Sequence, residues 1–333
     1  MKRWLVTGGV GFIGSHLCRA LLARGDAVRV VDDFSNAPYP TVLKRNNEAA
    51  LRRDFPDAFE VVEGCVSDGE LATTAVKDCR GILHLAGLAG VRPSFADPAR
   101  YAKVNVEGTA NLLDAAQRAG HELFVLASSS SVYGNATPLP AKEDAPAIVP
   151  ESPYASSKRG AELIASAMLR KTPQMRCPAL RFFTVYGPRQ RPEMAITTFL
   201  RAILAGQPIT VFGDGSMRRD FTHVEDIVRG VIAAADRAPE GFRVYNLGSG
   251  APISLTDLVT AMGKAAGAAP EVRHEPIPLG DVDATFADIA RARAELAWEP
   301  RMKLEDGLKT VVAWLREDRP QASRVGPRTE KET

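Results

Sequence analysis

Tyr154 and Lys158 stand four residues apart in the segment Ser152-Pro-Tyr-Ala-Ser-Ser-Lys158. On a helix that spacing puts the phenol and the ammonium on one face. A neighbouring cation stabilises phenolate, so the pair describes a tyrosine whose pKa is lowered toward general-base work near neutral pH. Ser152 is placed to cap such a helix and Pro153 to open its first turn. By themselves the two residues fit ordinary helix surface equally well. Upstream, Ser128, Ser129, Ser130 and Ser131 follow an apolar run at 123–127. Hydroxyls at the C-terminal end of a strand face the ligand crevice of an open sheet, although a polar turn reads the same way.

A second constellation lies at the start of the chain, in Thr7-Gly-Gly-Val-Gly-Phe-Ile-Gly14. Gly8 permits a tight turn, Gly11 lets backbone approach a pyrophosphate, and Gly14 allows close packing of helix on strand. The helix that follows offers free N–H groups and a positive dipole end to phosphates. Alone, such a triplet also describes a plain strand-to-helix turn. Asp32, however, ends the next apolar run, 18 residues after Gly14. A carboxylate there accepts ribose hydroxyls and repels a 2′-phosphate. Asp33 adds negative charge, so the cofactor reads as NAD rather than NADP.

These residues need elements to hold them. Short apolar runs at 4–6, 28–31, 59–62, 82–85 and 123–127 read as buried strands, with amphipathic stretches between them, clearest at 16–24 and 98–119. That alternation predicts an α/β fold, a doubly wound parallel sheet of Rossmann type with helices on both faces. Beyond residue 180, strands are expected at 179–183, 209–212 and 244–247, and helices at 193–206 and 255–266, the latter capped by Ser254. The division expected is a dinucleotide-binding domain over 1–186, rejoined by segments near 220–250, and a smaller α/β lobe over 187–317. A polar tail over 318–333, without periodicity, is expected to be mobile.

Composition narrows the class of partner. The 42 Lys and Arg against 40 Asp and Glu leave +2, which gives no electrostatic case for nucleic acid or an acidic membrane surface. Cys18, Cys65, Cys79 and Cys177 contain no C-x-x-C pair, so neither a disulfide framework nor a metal site is expected. Reduced thiols and an early break in the N-terminal apolar run suggest a cytoplasmic protein.

Taken together, the sequence resembles the extended short-chain dehydrogenase/reductases that process nucleotide sugars. The matching segments are Thr7 to Gly14, Asp32, His84-Leu-Ala-Gly87, Asn105, Ser128 to Gly134, Tyr154-x-x-x-Lys158 and Arg219-Asp-Phe-Thr-His223, in family order over nearly the whole chain. The resemblance implies that Ser129 hydrogen-bonds the sugar 4-oxygen beside Tyr154, and that Lys158 also holds the nicotinamide ribose. It further implies NAD contacts from Phe12, Ile13, Asn36, Val66, Leu85, Ala86, Gly87, Asn105 and Val185. Cys65 departs from the pattern, because relatives often place Asp there against the adenine amino group.

The same resemblance sets the reaction. Tyr154 takes the proton of the sugar 4-hydroxyl while hydride leaves C4, giving a 4-keto intermediate. Members that dehydrate or decarboxylate resemble each other in carrying Glu before Val-Tyr-Gly, whereas Ser131 precedes Val132-Tyr-Gly134 here. Epimerisation at C4 therefore leads. The run from Leu180 to Ala195, with Ala89-Gly-Val-Arg-Pro-Ser94, is similar to UDP-glucuronate 4-epimerases. That likeness implies that Thr184 and Arg191 hold the sugar carboxylate, with Arg189 able to share the role. Arg92, Ser130 and Ser131 join the sugar site, the helix around Phe199 and the strand at Val211-Phe212 the uracil pocket, Arg219 the diphosphate and Asp281 the ribose. His223 is expected to be structural. Helices near 98–119 and 152–170 are where relatives form a dimeric four-helix bundle, which implies a homodimer. The alternatives are an epimerase of UDP-glucose or a UDP-N-acetylhexosamine, then a decarboxylase or dehydratase.

Overall fold

Runs of Val, Leu and Ile closed by Asp, Ser or His become the strands of one parallel sheet. The computed structural model describes residues 3–36, 39–147, 149–276 and 284–317, so Asp281 and the 318–333 tail lie outside the described residues. The strands in chain order are β1 (Arg3–Thr7), β2 (Val28–Asp32), β3 (Phe59–Glu63), β4 (Cys79–His84), β5 (Phe124–Ser129) and β6 (Arg176–Phe182), then β7 (Thr184–Tyr186), β8 (Ile209–Phe212), β9 (Arg218–Arg219), β10 (Phe221–His223), β11 (Gly241–Leu247), β12 (Ile253–Ser254) and β13 (Val272–Glu275). Seven of them form the main sheet in the order β11-β6-β5-β4-β1-β2-β3, all pairs parallel. The order reverses between β1 and β4, and such a switch point opens a crevice at the strands' C-terminal ends.

The helices are α1 (Phe12–Ala23), α2 (Thr41–Asp54), α3 (Gly69–Ala75), α4 (Val91–Ala96), α5 (Pro98–Ala102), α6 (Gly108–Arg118), α7 (Pro153–Met168), α8 (Ala195–Leu204), α9 (Val224–Arg237), α10 (Leu255–Ala266), α11 (Ala290–Leu296) and α12 (Leu304–Glu317). Side chains alternate along each strand, so β1 sends Trp4 and Val6 to one face and Leu5 to the other. On the first face they meet Leu17 and Leu21 of α1 with Ile227 and Val231 of α9. Leu5 packs with Leu112 of α6 and Ala161 of α7. A third core joins α8, α10 and α12 around Ile209 and Val211 of β8. Burial of each such aliphatic side chain contributes about 1.5–3 kcal/mol, which is what closes both faces.

One expected helix is not continuous. The stretch 98–119 is split by a π-helical turn over Lys103–Glu107. The extra residue of a π turn rotates a side chain off the helical register. Here the turn carries Asn105, which becomes buried and pairs with Leu88: its Oδ1 accepts from Leu88 N at 2.8 Å and its Nδ2 donates to Leu88 O at 3.0 Å. The helices after 193 and 152 are shorter at their ends than the sequence suggests, starting at Ala195 and Pro153. Ser152 and Ser254 cap α7 and α10, accepting from Ala155 N and Asp257 N.

Candidate active site

A cleft of about 950 Å³ runs along the C-terminal ends of the sheet and ends against α8 and β8. Its cofactor-like half begins where β1 turns into α1. Gly8 has φ +69°, and a Cβ there would lie 2.8 Å from Ala86 N. A Cβ on Gly14 would lie 2.1 Å from Gly8 O. Only glycine leaves room for this turn, and Gly8, Gly11, Phe12, Ile13 and Gly14 all line the cleft. His84 is bonded to Thr7 and Thr109, and burial drives its imidazole down to about 3, so it is neutral and ties β1, β4 and α6 together.

Asp32 ends β2 and is 3% exposed. Its Oδ1 accepts from Phe34 N at 3.1 Å and Lys44 Nζ at 2.8 Å, while its Oδ2 has no partner. A buried carboxylate oxygen left open costs free energy unless a donor meets it, and a ribose hydroxyl is such a donor. This open acceptor, beside a glycine turn at a helix N-terminus, fits NAD. Lys44, unmarked in the sequence reading, also donates to Asp33 at 3.3 Å and so relieves the repulsion between two adjacent carboxylates. Burial pushes the Asp33 carboxyl up, but the Ser35 and Lys44 contacts win and hold it below its ordinary value. Val66, Cys65, Leu85, Ala86, Gly87 and Val185 line the same half. Asn36 does not, and its Oδ1 accepts from Thr41 N at the start of α2. Asn105 sits behind the wall, where it also donates to Ser157 and fixes the loop after Gly87. Asp32→Asn removes the charge from this acceptor. Hydrogen bonds to charged groups contribute roughly 1.5–3 kcal/mol, so NAD affinity should fall about 10- to 100-fold and discrimination against NADP should narrow. Calorimetry with both dinucleotides checks it, and an unchanged NAD/NADP ratio would refute the assignment of Asp32.

Tyr154 and Lys158 meet the end of β5 at the middle of the cleft. Tyr154 bonds to Ser129, and its ring packs edge-on against Tyr101 at 6.2 Å, while Tyr101 is anchored by its hydroxyl to Ala89 O. Lys158 Nζ donates to Ala127 O at 2.9 Å, and burial lowers its ammonium to about 8 against the opposing pull of Glu162. The expectation that Lys158 lowers the tyrosine pKa needs correction. Burial pushes the Tyr154 phenol up; the groups that draw it back are Ser129, through the hydrogen bond, and the positive charge of Arg191. One N–H of the ammonium goes to the Ala127 carbonyl. Ser129 Oγ accepts from Ser131 N at 3.2 Å and lies 3.1 Å from Ser131 Oγ, and Ser130 and Ser131 line the cleft in the short turn after β5.

The remaining half is cationic. Arg191 is largely buried, lines the cleft and pairs with Glu193 at 3.2 Å, also donating to Met194 Sδ. Arg189 does not line the cleft: its backbone is left-handed, with φ +64°, and the charges around it are Arg19 and Asp54, with Tyr39 beside them. Thr184 and Arg92 line the cleft, with Arg92 stacked 5.1 Å over the ring of Phe212. Val211 faces the third core instead, because alternation along β8 gives the cleft Thr210 and Phe212. Arg219 lines the cleft from β9. The adjacent Asp220 is fully buried and accepts from Ser249, Gly250, Ala287 and the Ser249 hydroxyl, fixing the loops that flank Arg219. His223 caps α9 and bonds to Thr310, a structural position. Among the described residues, no cluster of side chains could hold a metal ion and no helix is long and apolar enough to cross a membrane.

Known proteins resemble this chain along most of its length. The chain is 38% identical over 323 residues to a UDP-glucuronate 4-epimerase of Thermodesulfobacterium geofontis, covering 96% of this chain and 97% of that one. It is 40% identical over 329 residues to UDP-glucuronate 4-epimerase 5 of Arabidopsis thaliana, covering 93% and 74%. The solved UDP-glucuronic acid 4-epimerase of Bacillus cereus, in complex with UDP-glucuronic acid and NAD, superposes with a TM-score of 0.87 at 33% identity, covering 95% and 99%. A family model described as the NAD dependent epimerase/dehydratase family matches residues 4–248, which include the glycine turn, Asp32, the β5 serines, Tyr154, Lys158 and the Arg191 segment. With that span and those relatives behind it, the chain belongs to the NAD dependent epimerase/dehydratase family.

Proposed function

We propose that the protein interconverts UDP-glucuronate and UDP-galacturonate by epimerisation at C4, with NAD as its resident cofactor. The observation that carries this reading is Arg191, a cleft-facing guanidinium whose charge acts on Tyr154. It rests on a carboxylate of its own chain, Glu193, at 3.2 Å. A sugar carboxylate would take the place of Glu193 and be held by the same fork of N–H donors. A neutral hexose offers such a cation hydroxyl acceptors but no compensating charge.

The roles follow from position. Asp32, the Gly8–Gly14 turn and Lys158 hold NAD, and Arg219 binds the diphosphate. Tyr154 Oη takes the proton of the sugar 4-hydroxyl, with Ser129 Oγ orienting the oxygen. When bound, NAD accepts the C4 hydride and gives it back, so the sugar passes through a 4-keto form. Rotation of that ketone before its reduction inverts C4. The carboxylates lining the cleft among the described residues are Asp32, Asp33, Glu151 and Glu193, and position 131, before Val132-Tyr-Gly134, holds Ser rather than Glu. That disfavours dehydration, which calls for a base at the sugar's C5 proton, and leaves decarboxylation to be restrained by the hold on the carboxylate.

Arg191 has a second task. A 4-keto hexuronate is a β-keto acid, which loses CO₂ when its C5–carboxylate bond aligns with the carbonyl π system. Arg191 and Thr184 keep that bond near the ring plane while the ketone turns. We further propose that the residues up to 186, with β10, α9 and β11, serve NAD while 187–317 serve the UDP-sugar. Two copies pair through α5, α6 and α7, where Leu163 is 55% exposed, and the four free thiols suit a cytoplasmic setting. The test is incubation with UDP-glucuronate and resolution of products by NMR and mass spectrometry. A product of unchanged mass with the galacto configuration supports the reading. Turnover of UDP-glucose alone would overturn it.

A further inference from the structure

The face of α7 that carries Tyr154 and Lys158 continues one turn further to Glu162. Three successive turns of the helix thus meet three consecutive residues of β5. Tyr154 bonds to Ser129, Lys158 Nζ donates to Ala127 O at 2.9 Å, and Ser128 Oγ donates to Glu162 Oε1 at 2.6 Å. Glu162 has no exposed surface, so its charge must be met within the protein. Arg181 meets it with Nε on Oε1 at 2.9 Å and Nη2 on Oε2 at 2.8 Å, and Arg159 adds a bond to Oε2 at 2.8 Å. Arg181 is the register partner of Ser128 across β5 and β6, which places both side chains on the same face of the sheet.

Resting on the C4 chemistry proposed above, we infer that Glu162 is a positioning residue. It fixes the register of α7 against the end of β5, so that Tyr154, Ser129 and Lys158 share one reactive geometry. A buried ion pair adds little stability over apolar side chains of the same volume, so stability alone does not account for it. Glu162 is also the negative charge that acts on Lys158. Of the other ionisable groups near Lys158, His84 on β4 is neutral, and Arg159 and Arg181 stand behind Glu162, bonded to it. Without the carboxylate, uncompensated positive charge would stand behind the ammonium, and Lys158 would lose its proton at lower pH.

The test uses the holoenzyme, with three variants followed as pH profiles of kcat and KM on UDP-glucuronate. Ser128→Ala removes only the anchor on β5 and leaves the ion pair whole, so it is expected to fold. It should lower kcat about ten- to a hundredfold, as misplacement of reacting groups does, with KM and the pH profile unchanged. Glu162→Gln should lower kcat comparably and move the alkaline limb to lower pH. Glu162→Gln with Arg181→Met removes the buried pair and leaves Arg159, whose side chain is 26% exposed, to be screened by water, so it should move the limb back toward wild type without restoring kcat. A wild-type kcat and profile in Ser128→Ala and Glu162→Gln would overturn the inference. If wild type fails on UDP-glucuronate, the proposed function falls by itself. The titration of Lys158 Nζ, read by NMR of labelled lysine and assigned with Lys158→Met, then decides instead: an unshifted titration in Glu162→Gln overturns the inference, and a downward shift supports it.

Discussion

Tyr154→Phe lowers kcat by about 10²–10⁴-fold, the range ascribed to a positioned acid–base group, and leaves NAD and UDP-sugar affinity within a few-fold. The substitution deletes one oxygen and keeps the ring, so the edge-on contact with Tyr101 survives and α7 stays capped by Ser152. Only the atom that moves a proton is lost. The pH profile of wild type carries a second expectation. Because burial raises the phenol and Arg191 and Ser129 pull it back, the rate should rise with pH as Tyr154 ionises. Stopped assays across pH, with calorimetry for both ligands, read these effects. A Tyr154→Phe variant with more than a tenth of wild-type kcat would remove the phenol from the chemistry.

Arg191→Ala is expected to reduce kcat/KM on UDP-glucuronate by about two orders of magnitude, roughly 2–3 kcal/mol for a desolvated charge pair. Its effect on UDP-glucose should be slight. Two further consequences separate a clamp from a passive surface cation. Removal of the positive charge beside Tyr154 should move the acid limb of the profile to higher pH. Release of the C5–carboxylate bond from its orientation should let the 4-keto form lose CO₂, so that a UDP-pentose accumulates beside the epimer. Mass spectrometry of the products reads the second consequence directly. If Arg191→Ala made no more pentose than wild type, restraint of the carboxylate would not be what protects the intermediate.

What the sequence disclosed was local in kind. Glycine spacing at Gly8, Gly11 and Gly14, the Tyr154–Lys158 interval and the apolar runs are short-range patterns, and each survives folding because it describes a turn, a helix face or a strand. Contacts between distant segments were not legible. Lys44 has nothing in its neighbourhood to mark it, yet it neutralises the pair at Asp32 and Asp33. Tyr101, Asp220 and the Glu162–Arg181 pair are likewise set by tertiary packing. Arg189 and Arg191 look equivalent along the chain, and the fold separates them: Arg191 lines the cleft, whereas Arg189 has a left-handed backbone and lies among Arg19, Tyr39 and Asp54. At β8 the pair Val211-Phe212 divides: Val211 faces the core and Phe212 the cleft, because neighbouring side chains of a strand point to opposite faces. The π turn at Lys103–Glu107 was hidden because its residues suit an α-helix as well.

The central claim is oxidation and re-reduction of one carbon within a closed site, and an isotope at that carbon tests it most directly. UDP-glucuronate carrying deuterium at C4 would be converted in ordinary water and the product resolved by NMR. Galacto-configured product that keeps its deuterium at C4 is the predicted result, because the label leaves and returns without meeting solvent. Product with deuterium lost to solvent, or a label found only in a decarboxylated pentose, would contradict the account.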